Sequence, residues 1–311
     1  MQVFQIALIA VAVLLLTAVP GYLLVKRKMV SEECIPGLSK LLLFVCQPCL
    51  AVYTFAKTEL SAEKLCNMGI FALLVIGVHA IMLTVVFLIL KKKSKAVIYR
   101  IMTIGTTFGN CAFFGIPIIE ALLPEIAPEV IVYTTVYGTT MNIIGWTIGA
   151  AIISHDTRYI KLKKIFLNPA MIGFVIAFAI YLLQIPIRAE FYSMIELVGR
   201  MVSPLSMLIM GMRLATVKFA DMFKDVRIYL TVAVKQFVIP LLAFAVLICL
   251  PVSQDIKQTF FIVTACPVAS VVLNFAEIIG EGQKESANLV LFSTIFSIVT
   301  LPVMMFLLPV L

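Results

Sequence analysis

Residues 109–117 read GNCAFFGIP and lie inside a long apolar stretch of the chain. Glycine and proline are poor residues for a helix interior, because glycine loses much backbone entropy and proline lacks an N–H group and clashes with the preceding turn. A carbonyl freed by such a proline cannot face lipid, so the break survives in a membrane only where it is buried in protein or lines an aqueous cavity. The stretch therefore predicts an interrupted transmembrane helix at a binding site.

The composition of the whole chain is that of a polytopic membrane protein. Of 311 residues, 62% are hydrophobic and only 13% are charged, and the mean hydropathy is +1.13. Soluble proteins are closer to half apolar and a quarter charged. The net charge of +8 does not indicate a nucleic-acid partner, because no soluble basic face is available to cluster it.

Ten apolar runs are long enough to cross a bilayer, which takes about 20 residues of helix. Their limits are approximately 3–25, 37–56, 67–90, 101–123, 129–153, 168–185, 191–213, 228–250, 256–279 and 287–310. We interpret the first as a retained span, because its basic residues follow the apolar run, whereas those of a signal peptide precede it. The sequence predicts an all-α membrane protein with ten transmembrane helices.

The distribution of Lys and Arg predicts the orientation of these helices. With the N-terminus outside, the inner loops hold 17 Lys and Arg residues and the outer loops hold 4. Cytoplasmic loops carry such an excess, so we expect a multi-pass protein of the cell membrane with both termini outside. The alternation also supports the count of ten, since a missed span would put the next basic loop on the wrong side.

The two halves of the chain carry matching interruptions. Span nine contains ACPVASVVLNFAEIIG at 265–280, in which Pro267 and Asn274 are seven residues apart, as are Asn110 and Pro117 in span four. Interrupted spans at corresponding places of two halves indicate a transporter site near the middle of the membrane. The N-terminal ends of broken half-helices attract anions, and asparagine amides can complete the contacts.

Three motifs carry a resemblance to a known family. GNCAFFGIPII at 109–119, NPAMIGFVIAF at 168–178 and CPVASVVLNFAEIIG at 266–280 resemble the auxin efflux carrier family, whose bacterial members include predicted malate or malonate permeases. The resemblance runs along nearly the whole chain. It implies two inverted five-helix repeats, 1–155 and 168–311, joined by a cytoplasmic linker at 156–167, with broken helices four and nine crossing at their centres.

The resemblance also implies a division of labour and a substrate site. Spans 1, 2, 6 and 7 would form the scaffold and the surface of a homodimer, and spans 3–5 and 8–10 the moving transport bundle. Asn110, Pro117, Pro267 and Asn274 would form the crossover and bind substrate. Plant members carry a long hydrophilic loop where this chain has only SHDTRYIKLKK at 154–164, a departure that does not favour auxin as the substrate. The family it resembles spans several substrates, so malate, malonate and aromatic carboxylates all stay open.

Other polar residues inside the spans have two interpretations each. Asn142 could bind substrate, which the family resemblance favours, or bond to a neighbouring helix. Glu277 lies one helical turn after Asn274 and is a candidate for coupling or gating. His79 could relay protons, or it could be a neutral ring bonded to a neighbouring helix. The crossover motifs themselves hold no Lys or Arg, which leaves Lys235 and Arg200 as the nearest candidate cations in spans.

These features predict a secondary transporter for a small organic anion such as a mono- or dicarboxylate, working by alternating access. No nucleotide-binding or hydrolase motif is present, so a primary pump, an enzyme or a bound cofactor is not expected. The CQPC at 46–49 lacks the soluble context of a redox motif. A channel or an intramembrane enzyme remains the alternative, and saturation of flux distinguishes carrier from channel.

Overall fold

The computed structural model describes residues 1–155 and 168–311, so the predicted linker at 156–167 lies outside the described residues. The described part is helical, with one isolated antiparallel bridge between Gly109 and Val268. Its helices are α1 (Gln2–Lys26), α2 (Cys34–Ala56), α3 (Ala62–Lys93), α4 (Val97–Gly105), α5 (Cys111–Leu122), α6 (Ala127–Ser154), α7 (Pro169–Leu183), α8 (Ala189–Thr216), α9 (Val226–Cys249), α10 (Gln254–Ala265), α11 (Val271–Ile279) and α12 (Gln283–Val310).

Seven helices of the described residues are long and apolar enough to cross a membrane, namely α1, α2, α3, α6, α8, α9 and α12. The predicted sixth span is the shorter apolar helix α7, with 15 residues. The predicted fourth and ninth spans are both interrupted, the fourth into α4 and α5 and the ninth into α10 and α11. The all-helical, multi-span class is confirmed, whereas the count of ten and the inverted repeat stay predictions.

Prolines widen three of the helices. A π-helical turn ends two residues before Pro48 in α2, before Pro117 in α5 and before Pro240 in α9; the turns are Leu42–Cys46, Cys111–Gly115 and Val234–Val238. Proline has no N–H group and clashes with the carbonyl four residues before it, so the preceding turn relaxes outward. Such turns re-aim the side chains that follow them, and they are frequent at functional sites.

Glycines allow two long helices to approach closely. Helix α1 runs along α8, and α2 runs along α7. A Cβ atom added to Gly21 would collide with the carbonyl of Leu208, and one added to Gly211 would collide with the carbonyl of Ala18. In a lipid bilayer the hydrophobic effect does not drive helices together, so helix association depends on van der Waals packing. Small residues favour it because they let helix backbones approach closely.

Side chains at and beside the interruptions are buried. Phe108 and Phe275, which flank the two breaks, are at most 1% exposed. Both rings lie against Gly145 and Gly149 of α6, where an added Cβ would come within 3.0–3.1 Å of them. The G-x-x-x-G of α6 thus leaves room for the aromatic side chains that enclose the crossing of the broken spans.

An ionic cluster ties the loop between α8 and α9 to the start of α12. Asp221, in the short turn Phe219–Phe223, lies 2.8 Å from both the Lys224 and the Lys284 ammonium groups. The hydrogen bond from Lys224, followed by that from Lys284, lowers the pKa of Asp221 to about 2. The carboxylate is therefore ionised at all ordinary pH values.

Candidate substrate-binding site

The two interrupted spans meet and hydrogen-bond to each other through their backbones. The N–H group of Asn110 donates to the carbonyl of Pro267 at 2.8 Å, and the N–H group of Ala269 donates to the carbonyl of Phe108 at 2.9 Å. The N–H group of Val268 donates to the Ser293 hydroxyl at 3.1 Å. Unpaired backbone groups are costly inside a bilayer, and these bonds satisfy several of those that the breaks release.

Both half-helices that follow the breaks, α5 and α11, begin at the crossing. Asn110 caps α5, because its side-chain Oδ1 accepts a hydrogen bond from the Phe113 N–H group at 3.2 Å. The N–H group of Cys111 donates to the Gly109 carbonyl at 2.9 Å, whereas that of Val271, at the start of α11, has no acceptor among the described residues. A helix N-terminus carries a partial positive charge and is a ready anion site.

A cavity of about 760 Å³ lies against these two N-terminal ends. Four of the predicted site residues line it: Asn110, Asn142, Asn274 and Glu277. Its wall also includes the beginnings of α2 and α7 and part of α6 and α8. The ionisable groups of the wall are Lys40, Arg213 and Glu277, together with Cys111. The structure thus brings together predicted site residues that are up to 167 positions apart in the chain, from Asn110 to Glu277.

Three buried polar atoms of this wall have no hydrogen-bond partner in the described part of the chain. They are Nδ2 of Asn110, Nε1 of Trp146 and Oε1 of Gln47. Buried polar groups are nearly always paired, so atoms of this kind mark a place for a bound ligand or water. The two nitrogens are donors, which suits acceptor oxygens. Sequence reasoning missed Gln47 and Trp146, although Trp146 is the single tryptophan of the chain.

Comparison with known protein families identifies the chain. A family model described as membrane transport protein matches residues 6–163 and 157–305. The chain belongs to the auxin efflux carrier family. The resemblance of the three sequence motifs is therefore confirmed, and the protein is a multi-pass membrane transport protein. No curated protein matches the chain.

In this member of the auxin efflux carrier family, the two predicted site prolines do not line the cavity. Pro267 is buried, and its carbonyl receives the Asn110 N–H group. Pro117 borders a separate cavity of about 240 Å³, together with Glu120 and Arg200. Both prolines interrupt their spans through the backbone, because proline has no N–H group to donate to the preceding helical turn.

The cations differ from those expected from the sequence. Arg200 does not line the large cavity. Its guanidinium group donates hydrogen bonds to the Glu196 carboxylate at 3.0 Å and to the Tyr53 hydroxyl at 2.8 Å. Arg213, the last residue of the predicted seventh span, lies in α8 and lines the cavity. Lys235 is fully buried beside the crossing and outside the cavity wall.

The remaining candidates for coupling or gating occupy different places. Glu277 of α11 accepts a hydrogen bond from Arg213 of α8 at 2.7 Å, so an ion pair joins two sides of the cavity wall. His79 is fully buried, and its Nδ1 lies 2.8 Å from the Val75 carbonyl. The His79 ring packs beside Phe108, one residue before Gly109. It therefore contacts the crossing without lining the cavity.

Proposed function

We propose that this auxin efflux carrier family member is a secondary transporter for a small organic anion and works by alternating access around the crossing of its broken spans. One observation carries the proposal: the N-terminal ends of α5 and α11 and two unpaired buried donors converge on one cavity. Transporters with discontinuous helices use such N-terminal ends to hold the carboxylate of a substrate.

The electrostatics of the cavity favour an anion of low charge. Each helix N-terminus is equivalent to about +0.5 elementary charge, so α5 and α11 together contribute about +1. Lys40 and Arg213 add two positive charges, and Glu277 removes one. A half-helix terminus contributes about 0.3–1 kcal/mol, or up to ~2 kcal/mol when partly buried. Binding is therefore weak enough for release, and a submicromolar dissociation constant would contradict this picture.

The shape of the cavity supports an inward-facing state of the carrier. Its wall includes the beginnings of α2 and α7 and Arg213 near the end of α8, and all of these adjoin loops for which the charge bias favours the inner side. On the opposite side, Arg200 lies 3.6 Å from Glu120 at the end of α5.

The orientation has its own experiment. In a variant free of native cysteines, a cysteine introduced at position 124 should react with an impermeant reagent added from outside, and one at position 163 should not. The reverse pattern would place both termini inside, and the cavity would then open outward.

The close packing of α1 with α8 and of α2 with α7 supports a scaffold made of the first, second, sixth and seventh spans. Many apolar side chains on this part are exposed, among them Ile9 and Leu16 of α1 and Leu197 of α8. Most of this surface suits contact with the lipid bilayer, and part of it is the homodimer surface in our proposal.

The decisive experiment measures binding and flux with one preparation. Purified protein is screened for thermal shifts against mono- and dicarboxylates, and the best ligand is then tested for uptake into proteoliposomes. We expect saturable uptake of unchanged substrate and weaker binding in Asn274→Ala, because its amide lines the cavity. Asn67→Ala, outside the cavity, is the control. Uptake that never saturates would favour a channel, and chemically altered substrate would favour an intramembrane enzyme.

A further inference from the structure

A buried lysine touches both interrupted spans. Lys235 lies in the π-helical turn Val234–Val238 of α9 and is 0% exposed. Its Nζ donates a hydrogen bond to the Thr264 carbonyl at 2.7 Å. A Cβ atom added to Gly109 would lie 3.1 Å from that Nζ and 3.2 Å from the Val263 carbonyl. The ammonium group therefore fills the space between the break of one span and the end of α10.

Lys235 has no carboxylate partner among the described residues, in contrast to the other buried cation, Arg100, which binds Glu281 at 2.8 Å. A charge inside a membrane is costly, so an unpaired ammonium needs another source of negative potential. Helices α4 and α10 both end at the crossing, with C-caps at Thr106 and Cys266. Each C-terminus is equivalent to about −0.5 elementary charge, so one ammonium matches the two together.

We propose that the Lys235 ammonium is a resident cation of the crossing and occupies the place that a coupling Na⁺ takes in other carriers. In many secondary transporters, unwound carbonyls and half-helix C-terminal ends coordinate the coupling ion. Here the Thr264 carbonyl at such an end already receives Lys235. The C-terminal ends of α4 and α10 are thereby neutralised without Na⁺, and the N-terminal ends of α5 and α11 stay free for the anion.

The first test needs no substrate, so it stands apart from the proposed function. Melting temperatures are measured in sodium chloride and in choline chloride for the wild type, Lys235→Ala and Lys235→Arg, with Lys95→Ala at an exposed position as the control. We expect no Na⁺ effect on the wild type, Lys235→Arg or the control. Lys235→Ala should melt at a lower temperature in choline, and sodium should restore part of the loss.

Specific stabilisation of the wild type by Na⁺ would overturn the inference. So would a Lys235→Ala variant with unchanged melting temperature, or one whose loss Na⁺ does not reduce. If Lys235→Ala does not fold, the melting temperatures of the wild type and of Lys235→Arg still test the inference. A rise of either melting temperature in Na⁺ would contradict a resident cation at this place.

The second test is transport, and this arm rests on the proposed function. Uptake of an organic anion into proteoliposomes should proceed equally in sodium and in choline for the wild type. Lys235→Ala should lower the rate in choline about tenfold or more, and sodium should recover part of it. Wild-type uptake that requires sodium would overturn the inference. Absence of any organic-anion uptake would count against the proposed function, and the melting experiment would still decide the role of Lys235.

Discussion

Replacing Asn110 by serine separates two roles that the structure assigns to one side chain. Oδ1 of Asn110 caps α5 through the Phe113 N–H group at 3.2 Å, and Nδ2 is buried in the cavity wall without a partner. Serine is also a good N-cap residue, so Asn110→Ser keeps an acceptor for the helix. Its short hydroxyl does not reach the place of Nδ2. Asn110→Ala removes both groups.

The expected magnitudes differ for stability and for affinity. Loss of an N-cap costs about 0.5–2 kcal/mol, so Asn110→Ala should lower the free energy of unfolding by that amount, and Asn110→Ser by much less. Loss of a buried hydrogen bond to the ligand costs about 1–3 kcal/mol, which raises the dissociation constant roughly fivefold to more than a hundredfold. Because only 5% of Asn110 is exposed, water replaces the lost amide poorly.

The assay measures melting temperature and ligand dissociation constant on the same purified samples. We expect Asn110→Ser to weaken binding as much as Asn110→Ala while remaining more stable. Asn274→Ala should weaken binding with little loss of stability, since the Asn274 side chain makes no hydrogen bond within the described residues. Near-normal affinity in Asn110→Ser and Asn274→Ala would refute the reasoning and leave Asn110 as a helix cap alone.

Further predictions concern packing, the ion pair of the cavity and pH. Gly211→Ala should destabilise the protein by about 1–3 kcal/mol, whereas Gly77→Ala, where an added Cβ meets nothing within 4 Å, should be nearly neutral in the same thermal melt. Exchanging the charges of Arg213 and Glu277 in a double-mutant cycle should recover about 0.2–1 kcal/mol relative to the single variants, and strict additivity would exclude coupling. The folded-state pKa of Asp221, about 2, is below its ordinary value of 3.8, so its contribution to stability is present above pH 3.8 and is lost as pH falls towards 2. The stability gap between wild type and Asp221→Asn should therefore close over that window, and a constant gap would contradict the assignment.

The positions of the breaks could be predicted from the sequence because their causes are local. Gly109 and Pro117 disfavour a regular helix wherever they occur, and Pro267 does the same in the second half. Asn110 follows from the same logic, since asparagine is a good N-cap at the start of a half-helix. Local chemistry is therefore enough to predict both interruptions and the place of Asn110 in the cavity wall.

The rest of the cavity depends on distant contacts that hydropathy does not encode. Trp146 is polar at one atom only, and Gln47 lies within an apolar run, so neither stands out in the sequence. Only the packing shows that Nε1 of Trp146 and Oε1 of Gln47 have no partner in the described part of the chain. The predicted seventh span ends at Arg213 because a charge ends the apolar run, whereas the helix continues to Thr216. Arginine can extend its charged group away from lipid while its stem stays in the span.

The bridge between Gly109 and Val268 has a consequence for how such a carrier can diversify. Its two hydrogen bonds, from Asn110 to Pro267 and from Ala269 to Phe108, join main-chain atoms only. Main-chain bonds do not depend on which side chains surround them, provided that the backbone path is kept. Side chains facing the cavity can then change, and with them the substrate, while the main-chain joint between the two interrupted spans is kept.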